Sequence, residues 1–211
     1  LYFIHRALSH RPFIREDHMK FTYSIPTKIL FGPGSFNDLA TTPLPGKKAL
    51  IVITAGKSMR ANGYLDRLIA MLDKQGIGHA LFDKILPNPV LRHVHEGAAL
   101  AREQGCDFVI GLGGGSSIDS AKSIAVMAKN PGDYWDYISG GSGKGQPLVN
   151  GALPIVAIAT TAGTGTEADP WTVITKEDTN EKIGFGCAET FPVLSVVDPD
   201  MMLTIPAHLT A

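Results

Sequence analysis

The sequence predicts an α/β domain built on a parallel β-sheet with flanking helices and an additional β-hairpin. Three observations carry this. Short apolar runs alternate with stretches of helical spacing from Lys28 onward, the order that gives a parallel sheet with right-handed crossovers. Ala49–Thr54, Phe108–Leu112 and Ile155–Ala159 are nearly continuous apolar runs, as strands covered on both faces are. Gly113-Gly114-Gly115-Ser116 stands between one of these runs and a helical segment, a strand–turn–helix arrangement.

The elements follow in order. Lys28–Phe31 reads as a strand closed by Gly32-Pro33-Gly34, and Ala49–Thr54 as a buried strand. Tyr64–Leu72 is helical, with Leu65, Leu68, Ile69 and Leu72 on one side. Ala80-Leu81-Phe82 is a short strand, Pro87-Asn88-Pro89 breaks the chain, and Leu91–Glu103 is helical. A strand over 107–112 leads to a helix over 116–129, where Ile118, Ala121, Ala125 and Ala128 recur and Ile124 and Val126 widen the apolar face. Ser116 and Asp119 form an S-x-x-D pair, the acidic variant of a capping box. Asp119 is then either a cap or a residue of the site, and Lys122 either a solvated surface lysine or part of the same chemistry. The loop Asn130–Gly151 is rich in Gly, Pro and aromatics, and Gly140-Gly141-Ser142-Gly143 reads as a mobile surface turn. Gly145–Gly151 is either a cover for a cleft or an ordinary loop. Ile155–Ala159 runs into Thr160-Thr161-Ala162-Gly163-Thr164-Gly165-Thr166-Glu167. Trp171–Thr175, Lys182–Gly186 and Val193–Val197 read as strands, with a hairpin at Asp178-Thr179-Asn180.

Composition narrows the class. With 211 residues and 44% hydrophobic content the chain suits one domain with a sizeable core. Its 19 Lys and Arg against 20 Asp and Glu leave a formal charge of −1, which argues against a nucleic-acid or membrane-surface partner. Two cysteines, Cys106 and Cys187, form no disulfide framework or metal motif and read as small buried apolar residues in a reducing, cytoplasmic setting. No run reaches transmembrane length. Residues 1–18 look like an upstream or artificially appended extension ahead of Met19, without the apolar core and cleavage site of a signal peptide. His5, His10 and His18 do not have metal-ligand spacing. The domain then covers 19–211.

The chemistry lies in two turns. Glycines at 113–115 let the backbone bend tightly and approach an anion, while the amides of the following helix's first turn and its macrodipole supply positive character. Thr160, Thr161, Thr164 and Thr166 offer hydroxyls, and Gly163 and Gly165 permit a second close approach. Both turns follow buried parallel strands, at whose carboxyl ends ligands bind in open α/β sheets.

The stretch from Gly113 to Lys122 resembles the GGGSxxDxxK motif of the iron-containing (group III) alcohol dehydrogenases. Phe31-Gly32-Pro33-Gly34, Pro87-Asn88-Pro89, Thr160–Glu167 and Asp198-Pro199-Asp200-Met201-Met202 resemble the family in order and spacing. The resemblance implies a Rossmann-like nucleotide-binding domain, with an all-helical carboxyl-terminal domain absent from this chain. It implies NAD or NADP as cofactor and a small alcohol or aldehyde as substrate. It places the pyrophosphate on Gly114, Gly115 and Ser116, Asp119 near the nicotinamide half, and Asn88 at the mouth of the cleft. Thr160, Thr161 and Thr164 fall on the adenosine and phosphate side. Lys182 either reaches the cofactor ribose or is a surface strand lysine.

Two departures bear on function. Many NAD-preferring relatives carry Asp just after the second strand, whereas this chain reads Thr54-Ala55-Gly56-Lys57-Ser58. A carboxylate there would repel a 2′-phosphate and Lys57 and Ser58 would not, so Gly56 and Ser58 are read as cofactor contacts compatible with NADP(H). The family's metal ligands, one Asp and three His, belong to the helical domain. Fe²⁺ or Zn²⁺ is expected only with that domain, and His79, His93, His95 and His208 do not match ligands. Without helices to cover it, the domain's apolar face favours a homo-oligomer. The implied activity is reversible alcohol oxidation by a metal-dependent enzyme of which this chain is the cofactor-binding part. The alternatives are a dinucleotide-binding module with little turnover and, behind both, a dehydroquinate-synthase-like lyase.

Overall fold

A computed structural model describes residue 22 and residues 24–207. The expectations placed on residues 1–18, with His5, His10 and His18, and on His208 lie outside the described residues. In chain order the structure has β1 (Lys28–Phe31), β2 (Lys48–Thr54), α1 (Ser58–Ala61), α2 (Tyr64–Lys74), β3 (Gly78–Ile85), α3 (Leu91–Glu103), β4 (Phe108–Gly113), α4 (Gly115–Lys129), β5 (Ile155–Ala159), β6 (Thr172–Lys176), β7 (Glu181–Phe185), β8 (Leu194–Val197) and α5 (Pro199–Met202).

Six strands form one sheet in the order β1-β8-β5-β4-β2-β3, every neighbouring pair parallel. β6 and β7 pair antiparallel as a separate hairpin, in register from Thr172 opposite Phe185 to Lys176 opposite Glu181. The predicted class holds, and the apolar runs are the central strands. Side chains alternate across each strand, so Ile51, Ile53, Ile110, Leu112, Val156 and Ile158 pack against α2 and the turn Ser35–Ala40. Leu50, Val52, Val109 and Ile155 face α3 and α4 on the other side. All ten are fully buried, each burial stabilising the fold by about 1.5–3 kcal/mol relative to exposure.

The helices form where the apolar period predicts. α2 buries Tyr64, Leu65, Leu68, Met71 and Leu72, and Gly76, at φ 68°, turns the chain just after it. α3 and α4 approach closely at Gly97, where an added Cβ would stand 2.4 Å from Ile124 Cδ1. β4 and α4 approach closely at Gly111, whose Cβ would stand 2.9 Å from Ile118 Cα.

Two motifs far apart in sequence meet at the sheet's edge. Asp198, 2% exposed, caps α5 by accepting from the Asp200 amide at 3.0 Å. Its oxygens also accept from the amides of Gly34 and Phe36, each at 3.0 Å. The Gly32-Pro33-Gly34 turn after β1 is thereby tied to the end of β8.

Several expectations need correction. The short strand at Ala80–Phe82 is the middle of an eight-residue strand, lengthened by pairing with β2 from Gly78 opposite Lys48 to Ile85 opposite Thr54. Its half-polar end, Asp83-Lys84, belongs to an edge strand and hides the pattern. Within the loop 130–151, Tyr134–Tyr137 is helical with Asp133 accepting from the Trp135 amide at 2.7 Å, and Tyr134, Trp135 and Tyr137 are buried. The turn Gly140–Gly143 is held to the hairpin, the Ser142 amide donating to Glu181 at 2.6 Å and its hydroxyl donating to the same carboxylate at 2.5 Å. Cys106 is buried as expected, but Cys187 is only half-buried, because it lies in the connection after β7 rather than under the sheet. No helix of the described residues is long and apolar enough to cross a membrane.

Candidate functional site

The sheet order fixes where a ligand fits. β2 leads into α1 and α2 on one face, and its neighbour β4 leads into α4 on the other. A crevice opens at the carboxyl ends where consecutive connections part. A cleft of about 350 Å³ lies there, lined by Thr54–Gly56 after β2, Ile85–Pro87 after β3, Gly114–Ser116 after β4, and Thr161 after β5. None of these residues is acidic.

The first turn is shaped by its glycines. Gly113 sits at φ +144°, and a Cβ there would stand 2.6 Å from Ser117 Oγ. α4 starts at Gly115, with Gly114 at the N-cap and no side-chain cap. The capping box read from Ser116 and Asp119 is therefore corrected. The helix starts one residue earlier, Ser116 Oγ donates instead to the Pro87 carbonyl at 2.5 Å, and the Asp119 carboxylate turns elsewhere. The amides of Ser117 and Ile118 return to the Gly114 carbonyl at 3.0 and 3.3 Å. By helix geometry the amides of Gly115 and Ser116 have no carbonyl within the helix, and they border the cleft.

The second turn lies on the first. The Thr160 amide donates to the Gly113 carbonyl at 3.0 Å. Thr161 and Thr164 then press on the glycines: a Cβ on Gly114 would stand 2.9 Å from Thr161 Oγ1, and one on Gly115 would stand 3.0 Å from Thr164 Cγ2. The glycines thus make room for the neighbouring turn as well as leaving amides open.

Asp119 and Lys122 tie this arrangement to the hairpin. The Asp119 carboxylate accepts from Thr166 Oγ1 at 2.7 Å and from the Val173 amide at 3.0 Å. Lys122, far from being a solvated lysine, is 0% exposed, because α4 is covered on this face by the segment 166–173. Its ammonium donates to Thr166 Oγ1 at 2.7 Å, the carbonyls of Asp169 and Trp171 at 2.8 Å each, and Asp169 Oδ1 at 3.2 Å. Burial pushes the Asp119 carboxyl above its ordinary value, opposed by the bonds from Thr166 and Val173 and by the Lys122 charge. Burial pushes Lys122 below its ordinary value, opposed first by Asp169 and then by Asp119.

The remaining candidates surround the cleft. Gly56 lines it, while Ser58 lines an adjoining cavity of about 160 Å³ together with Thr160 and Thr161. Lys182, on β7, donates to Asn88 Oδ1 at 3.1 Å, both residues exposed, so two candidates 94 positions apart meet. The hairpin is also fixed to the Pro87-Asn88-Pro89 break by the Thr175 amide, which donates to the Pro89 carbonyl at 2.8 Å.

Comparison with known proteins agrees with this geometry. The sequence model described as iron-containing alcohol dehydrogenase matches residues 26–199. The chain belongs to the iron-containing alcohol dehydrogenase family. It is 36% identical over 191 residues to the NADH-dependent butanol dehydrogenase B of Clostridium acetobutylicum, covering 90% of this chain and 48% of that protein. The crystal structure of NADH-dependent butanol dehydrogenase A from Thermotoga maritima superposes with a TM-score of 0.82 at 36% identity, covering 90% of this chain and 47% of that one. Sulfoacetaldehyde reductase from Bifidobacterium kashiwanohense, solved in complex with NAD+, gives a TM-score of 0.79 at 30% identity, covering 91% and 50%. The chain spans about half the length of the curated relatives it matches.

The iron of the family's name finds no ligand set here: among the described residues no three His, Cys, Asp or Glu side chains come together. His93 is buried on α3 against Phe82, and His95 lies 3.3 Å from Asp133. Two larger concavities, of about 430 Å³ between α3 and the end of α4 and about 460 Å³ between β3 and α3, gather no glycine turns. The cleft at the strand ends is where residues of three of the motifs, Pro87, Gly114–Ser116 and Thr161, come together. Sequence reasoning singles out Asp119 but misses the partners of Lys122. The signal is available: Gly115, Asp119 and Lys122 are four and three apart, one stripe of a helix.

Proposed function

We propose that this chain is the cofactor-binding part of an NAD(P)-dependent alcohol dehydrogenase, interconverting small alcohols with aldehydes or ketones. One observation supports it above the others. Two glycine-bearing turns meet over the uncapped start of α4, at the parting of the sheet's connections, beside a cleft without acidic lining. The residues present suit a dinucleotide. The Gly115 and Ser116 amides and the helix dipole favour the diphosphate, Thr161 and Thr164 supply hydroxyls beside them, and Gly56 brings no side chain into the cleft it lines. Ser58, Asn88 and Lys182 are the polar groups that would orient the ribose halves, with Thr160 behind them. Asp119 sits beneath the second turn as its support.

The reading extends to cofactor choice. With Gly56, Lys57 and Ser58 after β2, no carboxylate there opposes a 2′-phosphate, and NADP(H) is accepted alongside NAD(H). When bound, the nicotinamide supplies the hydride chemistry. This chain's residues bind and orient it, and the closed underside of α4 keeps water from the network at Lys122. A divalent metal has no ligand set among the described residues, so the reading assigns metal-assisted steps to the part of the family protein that this chain does not match. The free cysteines Cys106 and Cys187 support a cytoplasmic setting, and the exposed Ile29 and Phe31 on the edge strand β1 support self-association.

Titrating the protein with NADPH and NADH tests the cofactor assignment. Binding of both is expected, and NADH binding at least tenfold tighter than NADPH would refute the NADP(H) reading. An assay of NADPH oxidation with short aldehydes and added Fe²⁺ or Zn²⁺ separates the enzyme from a binding module. The module reading rests on the absence of a metal-ligand cluster among the described residues, and metal-dependent turnover by this chain would overturn it.

A further inference from the structure

The buried ammonium of Lys122 does not line the cleft, yet four acceptor atoms lie within 3.2 Å of it. An ammonium has three hydrogens, and those of Lys122 face Thr166 Oγ1, the Trp171 carbonyl and the two oxygens of Asp169, all within 3.2 Å. With the lysine donating, the Thr166 hydroxyl acts as acceptor toward it. Its own hydrogen then goes to Asp119 Oδ1 at 2.7 Å. The chain of donors runs one way, from lysine through hydroxyl to carboxylate, and loss of the Thr166 hydroxyl removes one acceptor from Lys122 and one of the two donors to the Asp119 carboxylate.

Thr166 is the last residue of the turn that begins at Thr160. The turn is therefore pinned at both ends to α4 and its strand: at the start by the Thr160 amide on the Gly113 carbonyl, and at the end by Lys122 and Asp119. Between the pins, Gly163 at φ 115° and Gly165 at φ 68° give the backbone little resistance of its own. The height of Thr161 and Thr164 above Gly114 and Gly115 then depends on the anchors. Both anchors at the closing end stand on the helix whose first amides face the cleft.

We propose that Lys122, acting through the Thr166 hydroxyl, is a positioning residue that sets the distance of the 160–166 turn from the start of α4, and with it the grip on a cofactor diphosphate. This rests on the cofactor reading above. The GGGSxxDxxK spacing acquires a mechanical meaning: its glycines form one jaw, and its aspartate and lysine hold the other.

Thr166→Val removes the hydroxyl while keeping the size of the side chain, and Thr166→Ser restores it. Two measurements are made on the whole chain: hydrogen exchange of the 161–165 amides without cofactor, and Kd for NADPH and NADH. The expectation for Thr166→Val is at least tenfold faster exchange confined to 161–165 and at least fivefold weaker binding of both cofactors, with Thr166→Ser within twofold of the unmutated protein. Thr166→Ala carries the same expectation as the valine and replaces it should that variant not fold. Unchanged exchange and affinity in Thr166→Val would overturn the proposal, as would a uniform rise in exchange across the whole sheet. Local loosening with no cofactor binding by the unmutated protein would instead sink the cofactor reading, and the grip with it, while leaving the anchor itself demonstrated.

Discussion

Gly114→Ala is the sharpest probe of how the two turns meet. The new Cβ would stand 2.9 Å from Thr161 Oγ1 and 3.3 Å from its Cγ2, where ordinary carbon contacts begin near 3.5 Å. Gly114 itself is extended, at φ −83° and ψ −170°, so alanine meets no backbone strain and the whole effect comes from the contact. Thr161 has two routes of relief. It can leave its rotamer, at about 0.5–1.5 kcal/mol, or the turn can rise by about half an ångström, against the bonds at Thr160 and Thr166. Either displaces groups placed on the diphosphate. A total of about 1–2 kcal/mol corresponds to roughly five- to thirtyfold weaker cofactor binding. The thermal midpoint is expected to fall by only a few degrees, since about 1 kcal/mol shifts a domain of this size by roughly 2–4 °C. Calorimetric titration with NADPH and NADH measures the first quantity and a circular-dichroism melt the second. The same substitution in a Thr161→Ala background should cost much less, because the clashing atoms are gone. A Kd for Gly114→Ala within twofold of the unmutated protein, or an equal loss in both backgrounds, would refute the reasoning.

Three further outcomes are expected. Gly56→Asp fits without crowding, since a Cβ at Gly56 would meet only Thr54 Oγ1 at 3.6 Å; it should weaken NADPH binding at least tenfold relative to NADH, and an equal change for both cofactors would count against the placement of the 2′-phosphate. The Glu181 carboxyl is held at about 2, below its ordinary 4.5, first by the Ser142 hydroxyl and then by that of Thr179. A depressed acid stabilises fully above its ordinary value and loses that contribution as pH falls toward the folded one. Docking of the 140–143 turn should thus weaken between about 4.5 and about 2, read from the Ser142 amide resonance; a midpoint at the ordinary value would refute the three bonds assigned to Glu181. Asp198→Ala strips the acceptor from three amides and should cost about 3 kcal/mol, or roughly 6–12 °C in the melting midpoint; a loss below about 1 kcal/mol would show that the edge turn and α5 are held by packing instead.

Much of the fold is legible in the chain because it rests on short-range periodicity. The continuous apolar runs mark the central strands, and the spacing of Leu65, Leu68 and Leu72 marks α2. The pattern of β3 reads too short because an edge strand needs few apolar residues, and its true extent follows from pairing with β2. The start of α4 reads one residue late because Ser116 and Asp119 have the spacing of a cap, while both side chains find partners in other parts of the chain: the Pro87 carbonyl for one, Thr166 and Val173 for the other.

By itself, the order of residues determined the parallel sheet, the family to which the chain belongs and the two turns that face its cleft. These depend on local pattern and on motif, which survive without knowledge of contacts. What only the tertiary structure decided is how the turns are held: that Thr161 and Thr164 press on Gly114 and Gly115, that Asn88 and Lys182 meet, and that Lys122 is a buried anchor rather than a surface charge. A lysine's environment is set by whatever segment folds over it. Here that segment lies 44 or more positions away, beyond the reach of any local pattern.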